Sequence, residues 1–202
     1  MTARSHPEIA LPPEFYDRDP RRVARDLLGK LLIRRQGRQT LITRVVETEA
    51  YLGKNDPAAH SSSGRTARNE VIFGPPGFAY VYFIYGNHYC LNVSCFPDGV
   101  AGGVLFRAVE PIKGIAAMAK ARGLSESASH RLTNGPGKLT EALSITRADN
   151  GVNLTDPSQS IYLADDDFPR PRIATTPRIG ITKAADLKLR YLIQDNPFVS
   201  KP

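Results

Sequence analysis

Cysteine is scarce in this chain. Cys90 and Cys95 are the only two among 202 residues, and no C-x-x-C spacing occurs. That excludes a disulfide framework and a cysteine-based zinc site, leaving both thiols as small reduced core residues. Long apolar runs are also missing. No stretch approaches the ~20 residues that span a bilayer, and the opening MTARSHPEIALPPEF lacks the apolar segment of a secretion signal. These absences predict a protein of a reducing interior compartment, cytoplasmic if the source is prokaryotic, with no membrane association. Internal repeats, low-complexity tracts and a convincing linker are absent too. Acidic side chains are outnumbered, 20 against 27 basic ones, for a formal charge of +7. An excess of this sign suits a polyanionic partner, most commonly nucleic acid.

With 41% hydrophobic and 23% charged residues, the chain can bury one substantial core. Sixteen prolines and sixteen glycines imply a loop-rich, mixed α/β body. Residues 1–16 are proline-rich and read as a tethered arm, with a single domain over 17–202. Asp19-Pro20 predicts a helix start, Val23, Ala24, Leu27 and Leu28 recur at helical spacing, and Gly29 stops it. Leu31–Arg35 and Gln39–Glu47 read as strands around a Gln36-Gly37 turn, with Thr48–Gly53 continuing the second. A polar loop, Lys54–Asn69, follows. Val104–Val109 reads as a strand and Ile112–Arg122 as an amphipathic helix closed by Gly123. Asn134-Gly135-Pro136-Gly137 precedes a helix over Lys138–Leu143. A glycine-rich turn feeding a helix can hold a phosphate on free N–H groups, although more often it only turns the chain. Ser160–Ala164 and Arg190–Ile193 are later strands, with Arg178–Ile181 a loop or short strand between them.

The stretch Ala79–Ser94, AYVYFIYGNHYCLNVS, carries four of the eight tyrosines. Two β-rich runs around Gly86-Asn87-His88 predict a β-hairpin with Tyr85 beside its tip. Tyr80, Tyr82 and Ile84 then share one face. A two-residue loop sets Tyr82 opposite Leu91; a three-residue loop sets Tyr85 opposite Tyr89 and Tyr82 opposite Asn92. The second is favoured, because it places an aromatic beside an amide in one recess. Phe83 and Leu91 are read as ordinary strand residues, whereas a tyrosine at a hairpin tip calls for a partner.

Glu47, Glu49 and Tyr51 alternate on one face if Val46–Tyr51 is a strand. Either carboxylate suits hydrolysis at a sugar anomeric carbon, where a proton must leave water and an oxocarbenium charge must be faced; the plainer alternative is that both are solvated. His60 sits in a loop of small polar residues, and Arg65, Arg68 and Arg107 suit phosphates or solvent.

Taken together, VVETEAYLG, AAHSSSGRTARN, YVYFIYGNHYCLNV, VLFRAVEP, NGPGKLTEALSI, PRIGI and NPFVS closely resemble the alkyladenine (3-methyladenine) DNA glycosylase family, over nearly all the chain after about residue 15. The resemblance implies a single α+β domain with a curved antiparallel sheet, flanking helices and a protruding, DNA-inserting hairpin. It implies a monofunctional glycosylase that flips 3-methyladenine, hypoxanthine and similar purines out of double-stranded DNA and hydrolyses the N-glycosidic bond, initiating base excision repair. No metal or cofactor is implied, and monomer is the default state. By position, Glu49 matches the base that activates water. Tyr51, His60 and Tyr82 match residues enclosing the extruded purine, Asn92 the pocket-floor amide, and Arg107 an arginine near the water and a phosphate. Tyr85 matches the side chain that fills the vacated stack. Arg65, Arg68 and Lys138 are candidates for backbone phosphates. Asn87 stands where many relatives carry methionine, Ala67 replaces a frequent proline, and Gly74-Pro75-Pro76-Gly77 is fuller than the minimal Pro-Gly.

Overall fold

The computed structural model describes residues 9–84 and 86–200. Along the chain come β1 (Ile9–Ala10), α1 (Pro13–Tyr16), α2 (Pro20–Asp26), β2 (Leu31–Gln36) and β3 (Gln39–Tyr51). Next are β4 (Ala79–Ile84), β5 (His88–Ser94), β6 (Gly103–Lys113), α3 (Ile115–Ala121) and α4 (Pro136–Ala142). Strands β7 (Ile161–Asp165), β8 (Ile173–Thr176) and β9 (Arg190–Ile193) complete the order. All the strand pairings are antiparallel, in the order β1-β7-β2-β3-β6-β5-β4, and β9 joins β3 to β8. This is the curved antiparallel sheet of a mixed α/β domain. Among the described residues no helix is long and apolar enough to cross a membrane.

Local chemistry accounts for most of these elements. The Asp19 carboxylate accepts from the Arg21 N–H, satisfying one orphan donor of α2, and Pro20 stands where no N–H is needed. Gly29 ends the segment at φ 92°, a backbone angle that favours glycine. Alternation then divides the sheet. Val81, Leu91, Val93, Val104 and Phe106 face the main core with Val23 of α2, Leu27 at its C-cap, Met118 of α3 and Leu139 of α4. Tyr80, Tyr82, Cys90 and Leu105 face the other way and form a smaller cluster with Ile72.

Several expectations are corrected. Residues 9–16 are not a bare arm: Ile9–Ala10 pair with β7, Pro13–Tyr16 form a helical turn, and Tyr16 is fully buried. Pro13 opens that turn, the position where its missing N–H costs nothing. The helix expected from Ile112 starts at Ile115, because β6 runs on to Lys113 through Pro111. Pro111 lies beside a register shift in the β3–β6 ladder, where a missing donor is tolerated. In the hairpin, Ile84 pairs with His88, Tyr82 with Cys90 and Tyr80 with Asn92. The pairing leaves positions 85–87 between the strands, three residues as favoured, but with Tyr82 shifted one position from its two-residue partner Leu91 and two from its three-residue partner Asn92, so that Tyr80 lies across from Asn92 instead. Tyr85 itself lies outside the described residues. Only Asn92–Ser94 of β5 pairs with β6, so the outer half of the hairpin extends past the sheet. There Phe83, Gly86 and Asn87 are exposed.

Candidate active site

Strand β3 is held on one edge by β6 and on the other by β2 and then, over Glu47–Glu49, by β9. The β3–β6 ladder steps over Val46 on one strand and Arg107 on the other. Such an irregularity re-aims side chains. Here Glu47 and Glu49 have no side-chain exposure and the Arg107 guanidinium lies between them, Nε 3.0 Å from Glu47 Oε1 and Nη1 3.2 Å from Glu49 Oε1. The reading of both glutamates as solvated is thus overturned, as is that of Arg107.

Burying a carboxylate is costly unless its oxygens are bonded, and those of Glu49 are. Oε1 accepts from the Ile179 N–H at 2.8 Å and Oε2 from the Tyr51 hydroxyl at 2.9 Å. Each oxygen offers two lone pairs, so Oε2 keeps capacity for another donor. Desolvation raises the Glu49 pKa above the usual carboxylate value, and Arg107, the Ile179 N–H and Tyr51 offset only part of that rise. A raised pKa makes an ionised carboxylate a better proton acceptor.

In front of this group lies a cavity of about 200 Å³ lined by Tyr51, His60, Tyr82, Asn92 and Arg107 together with Ile179. That is smaller than the roughly 300–1,000 Å³ of drug-sized ligand sites, and suits one heterocyclic base. Glu49 does not line it; the carboxylate sits just behind the wall made by Tyr51, Arg107 and Ile179. The rings of Tyr80 and Tyr82 lie 5.3 Å apart at 32°, and the His60 ring meets Tyr82 edge-on at 4.5 Å. His60 Nδ1 is 3.1 Å from the Tyr80 hydroxyl. Desolvation against these rings, then the Arg68 charge, lowers the His60 pKa, so the imidazole is neutral at pH 7. Burial raises the Tyr51 and Tyr82 phenols, and pushes the Cys90 thiol up to about 11. The cavity therefore offers neutral aromatic and hydrogen-bonding walls, with charge confined to the Glu49–Arg107 end. Asn92 is buried, its Nδ2 donating to the Tyr80 carbonyl at 3.2 Å.

Two long-range ties hold the loops that complete the walls. Arg178 bonds Asp56 twice, at 2.5 and 2.8 Å, and the Ala50 carbonyl at 3.0 Å. Its guanidinium also stacks 4.7 Å from the Tyr51 ring centroid. Buried Asn69 donates to the carbonyls of His60 and Gly64, closing the loop that carries His60. Sequence reasoning passed over Asp56, Asn69, Tyr80, Cys90 and Arg178 as site residues. For Tyr80 the signal was present, since it alternates with Tyr82; for Arg178 it was only the PRIGI segment.

The candidate phosphate contacts are exposed. Arg65 pairs with Glu70 at 3.0 Å, Arg68 reaches the Phe83 carbonyl, and Lys138 Nζ bonds Asn134 Oδ1 at 2.9 Å. Arg68 stands 5.8 Å from the centroid of the Tyr82 ring, at the cavity's edge, and Lys138 lies on α4 two positions after Pro136, which lines the cavity. Gly137 serves close packing there: a Cβ at that position would lie 2.8 Å from the His88 ring.

Residues 14–197 match the family model described as Methylpurine-DNA glycosylase (MPG). The chain is 59% identical over 191 residues to a protein of Koribacter versatilis (strain Ellin345), covering 94% of this chain and 92% of that protein. It is 49% identical over 195 residues to one of Methanoculleus marisnigri (strain ATCC 35101 / DSM 1498 / JR1), at 96% and 100% coverage. To one of Alkaliphilus oremlandii (strain OhILAs) it is 43% identical over 203 residues, at 96% and 100%. All three carry the name "Putative 3-methyladenine DNA glycosylase".

Proposed function

The chain belongs to the methylpurine-DNA glycosylase family and is a DNA glycosylase, and from that premise we propose that it flips damaged purines out of duplex DNA and hydrolyses their glycosidic bond, with Glu49 activating water. The supporting observation is a buried carboxylate of raised pKa, tied to Tyr51 and Arg107, immediately behind a cavity of one-base size.

A base inside a duplex hides its bond to C1′, so the nucleotide has to leave the stack, at a few kcal/mol. In this reading Tyr85, at the hairpin connection, replaces the lost stacking as wedge residues do. Tyr51 and Tyr82 stack on the extruded purine, each contact worth ~1–3 kcal/mol, and His60 hydrogen-bonds to it. Electron-poor alkylated purines gain most from electron-rich rings, which favours 3-methyladenine and related lesions without requiring one shape. Hypoxanthine, a deaminated purine, fits the same slot. Asn92, held at the floor by its bond to Tyr80, restricts exocyclic groups. An N-alkylated purine already leaves readily, so the protein has mainly to supply a deprotonated water and tolerate positive charge at C1′. Glu49 can do both, using the free lone pair on Oε2, while Arg107 offsets the adjacent Glu47 and keeps the local charge from favouring protonation of Glu49. All these groups come from one chain, which supports a monomer as the working unit. The exposed cations Arg68 and Lys138, with the +7 charge, suit the phosphates of double-stranded DNA.

Glu49→Gln tests the proposal. Single-turnover base release from duplexes bearing 3-methyladenine, 7-methylguanine, hypoxanthine or an etheno adduct is expected to fall by orders of magnitude, with binding to the damaged duplex retained. Retained base release would remove Glu49 from the mechanism. Release from free nucleosides at the same rate as from duplex would instead point to a nucleoside hydrolase.

A further inference from the structure

Glu47 does not line the cavity, yet its carboxylate is tied from three parts of the chain. Oε1 accepts from Arg107 Nε at 3.0 Å, Arg190 Nε at 2.6 Å and the Ser200 hydroxyl at 2.7 Å; Oε2 accepts from the Ser200 N–H at 2.6 Å. Ser200 also receives a bond from Arg107 Nη2 on its hydroxyl, at 3.4 Å, and one from Arg190 Nη2 on its carbonyl, at 3.1 Å. The segment leading to it is pinned by Asn196, whose Nδ2 donates to Glu110 on β6 at 3.0 Å. Glu47, Glu49, Arg107 and Arg190 make a buried set of two carboxylates and two guanidiniums, so the charges cancel, as burial demands.

Resting on the reading of Glu49 as the base, we propose that Glu47, Arg190 and Ser200 are positioning residues that hold Arg107 shared between two carboxylates, so that the segment following β9 completes the catalytic centre. A guanidinium is a planar fork that grips one carboxylate with two parallel bonds whenever geometry allows. Here Glu47 takes Nε and Ser200 takes Nη2, while Nη1 faces Glu49, 3.2 Å from its Oε1. Without Glu47, Arg107 is free to clamp Glu49 with both arms, which would cover the carboxylate and weaken it as a base. The groups facing Glu49 are Glu47 and Tyr51 from β3, Arg107 from β6, Cys90 from β5, and Arg178 with the Ile179 N–H from the loop after β8. Of these, Glu47 raises its pKa and Arg107 lowers it, so the sharing sets how basic Glu49 is.

The test is Glu47→Gln, compared with Glu49→Gln and the parent, by single-turnover release of methylpurines from a dimethyl-sulfate-treated duplex over pH 4–9. The expected result is a rate at least about tenfold lower at neutral pH, unchanged affinity for the duplex, and an acid limb moved to lower pH. An unchanged rate and profile, or a lower rate with the acid limb unmoved, overturns the proposal, since loss of folded protein scales a profile without shifting it. Should Glu47→Gln not fold, Ser200→Ala keeps every charge and decides the matter. A several-fold fall in rate at constant affinity, recovered by Ser200→Thr, supports the proposal, and parental rates refute it. If Glu49→Gln is itself fully active, the underlying assignment of the base fails instead, whichever way Glu47→Gln behaves.

Discussion

Replacing Asp56 by Asn removes one charge from a pair with no side-chain exposure on either partner. The Asp56 carboxylate takes two bonds from Arg178 and one each from the Leu52 and Ala58 N–H groups. Asparagine keeps one acceptor oxygen, but its amide then presents donors to a guanidinium that has only donors. Arg178 stays buried without a counter-charge. Breaking such a pair costs about 3–5 kcal/mol, and at about 2–4 °C per kcal/mol for a domain of this size the melting temperature should drop by roughly 6–20 °C. Burial alone would raise the Asp56 pKa, but the Arg178 and backbone bonds outweigh it and hold the carboxyl below its ordinary value. A depressed folded-state pKa stabilises above the unfolded value of about 3.9, and that stability is lost as pH falls through the folded pKa. Parent and variant should therefore differ fully at pH 7, with the difference beginning to shrink below about pH 4 and vanishing only once pH falls beneath the depressed folded-state pKa. Calorimetry and urea titration at both pH values measure this, and a double variant that also carries Arg178→Met should recover much of the loss. A difference at pH 7 within about 0.5 kcal/mol, the range of surface substitutions, would refute the argument that this pair ties the two loops together.

Base release by the parent enzyme should fall as pH drops through the raised Glu49 pKa, because only the ionised form accepts a proton; the acid limb is expected above the usual glutamate value of about 4.3. A rate–pH profile flat down to pH 4 would contradict it. Gly53→Ala places a Cβ 2.0 Å from the Ala101 carbonyl oxygen at φ 75°. The angle alone costs ~1–2 kcal/mol and the clash adds to it, so a melting temperature equal to the parent's would be inconsistent with this loop geometry. Arg68→Ala should weaken duplex binding about equally for damaged and undamaged DNA, and should reduce the slope of log K against log salt by about 1. An unchanged slope would take Arg68 off the phosphate path.

Much of this protein could be read along the chain, because local chemistry decides it. Asp19, Pro20 and Gly29 set both ends of α2 without help from distant residues, and alternation along Tyr80–Ile84 sorted the cavity face from the core face. The long ordered motifs pointed to the family and to Glu49, Tyr51, His60 and Tyr82. What stayed hidden depends on groups far apart in sequence. The hairpin register was missed because turn residues permit several pairings, and the one adopted also packs Tyr89 against α4, where the Thr140 hydroxyl bonds its carbonyl. Ile9–Ala10 became a strand because the edge of β7 was there to receive it. Glu47 and Glu49 looked like solvated strand residues until β6 and β9 closed on either side of β3 and brought Arg107 and Arg190 to them. Asp56 and Arg178 stand 122 positions apart, so no local pattern could pair them. Residue types determined what the chemistry could be; the sheet decided which charges left water together, since burial is a property of the assembled fold and not of any one segment.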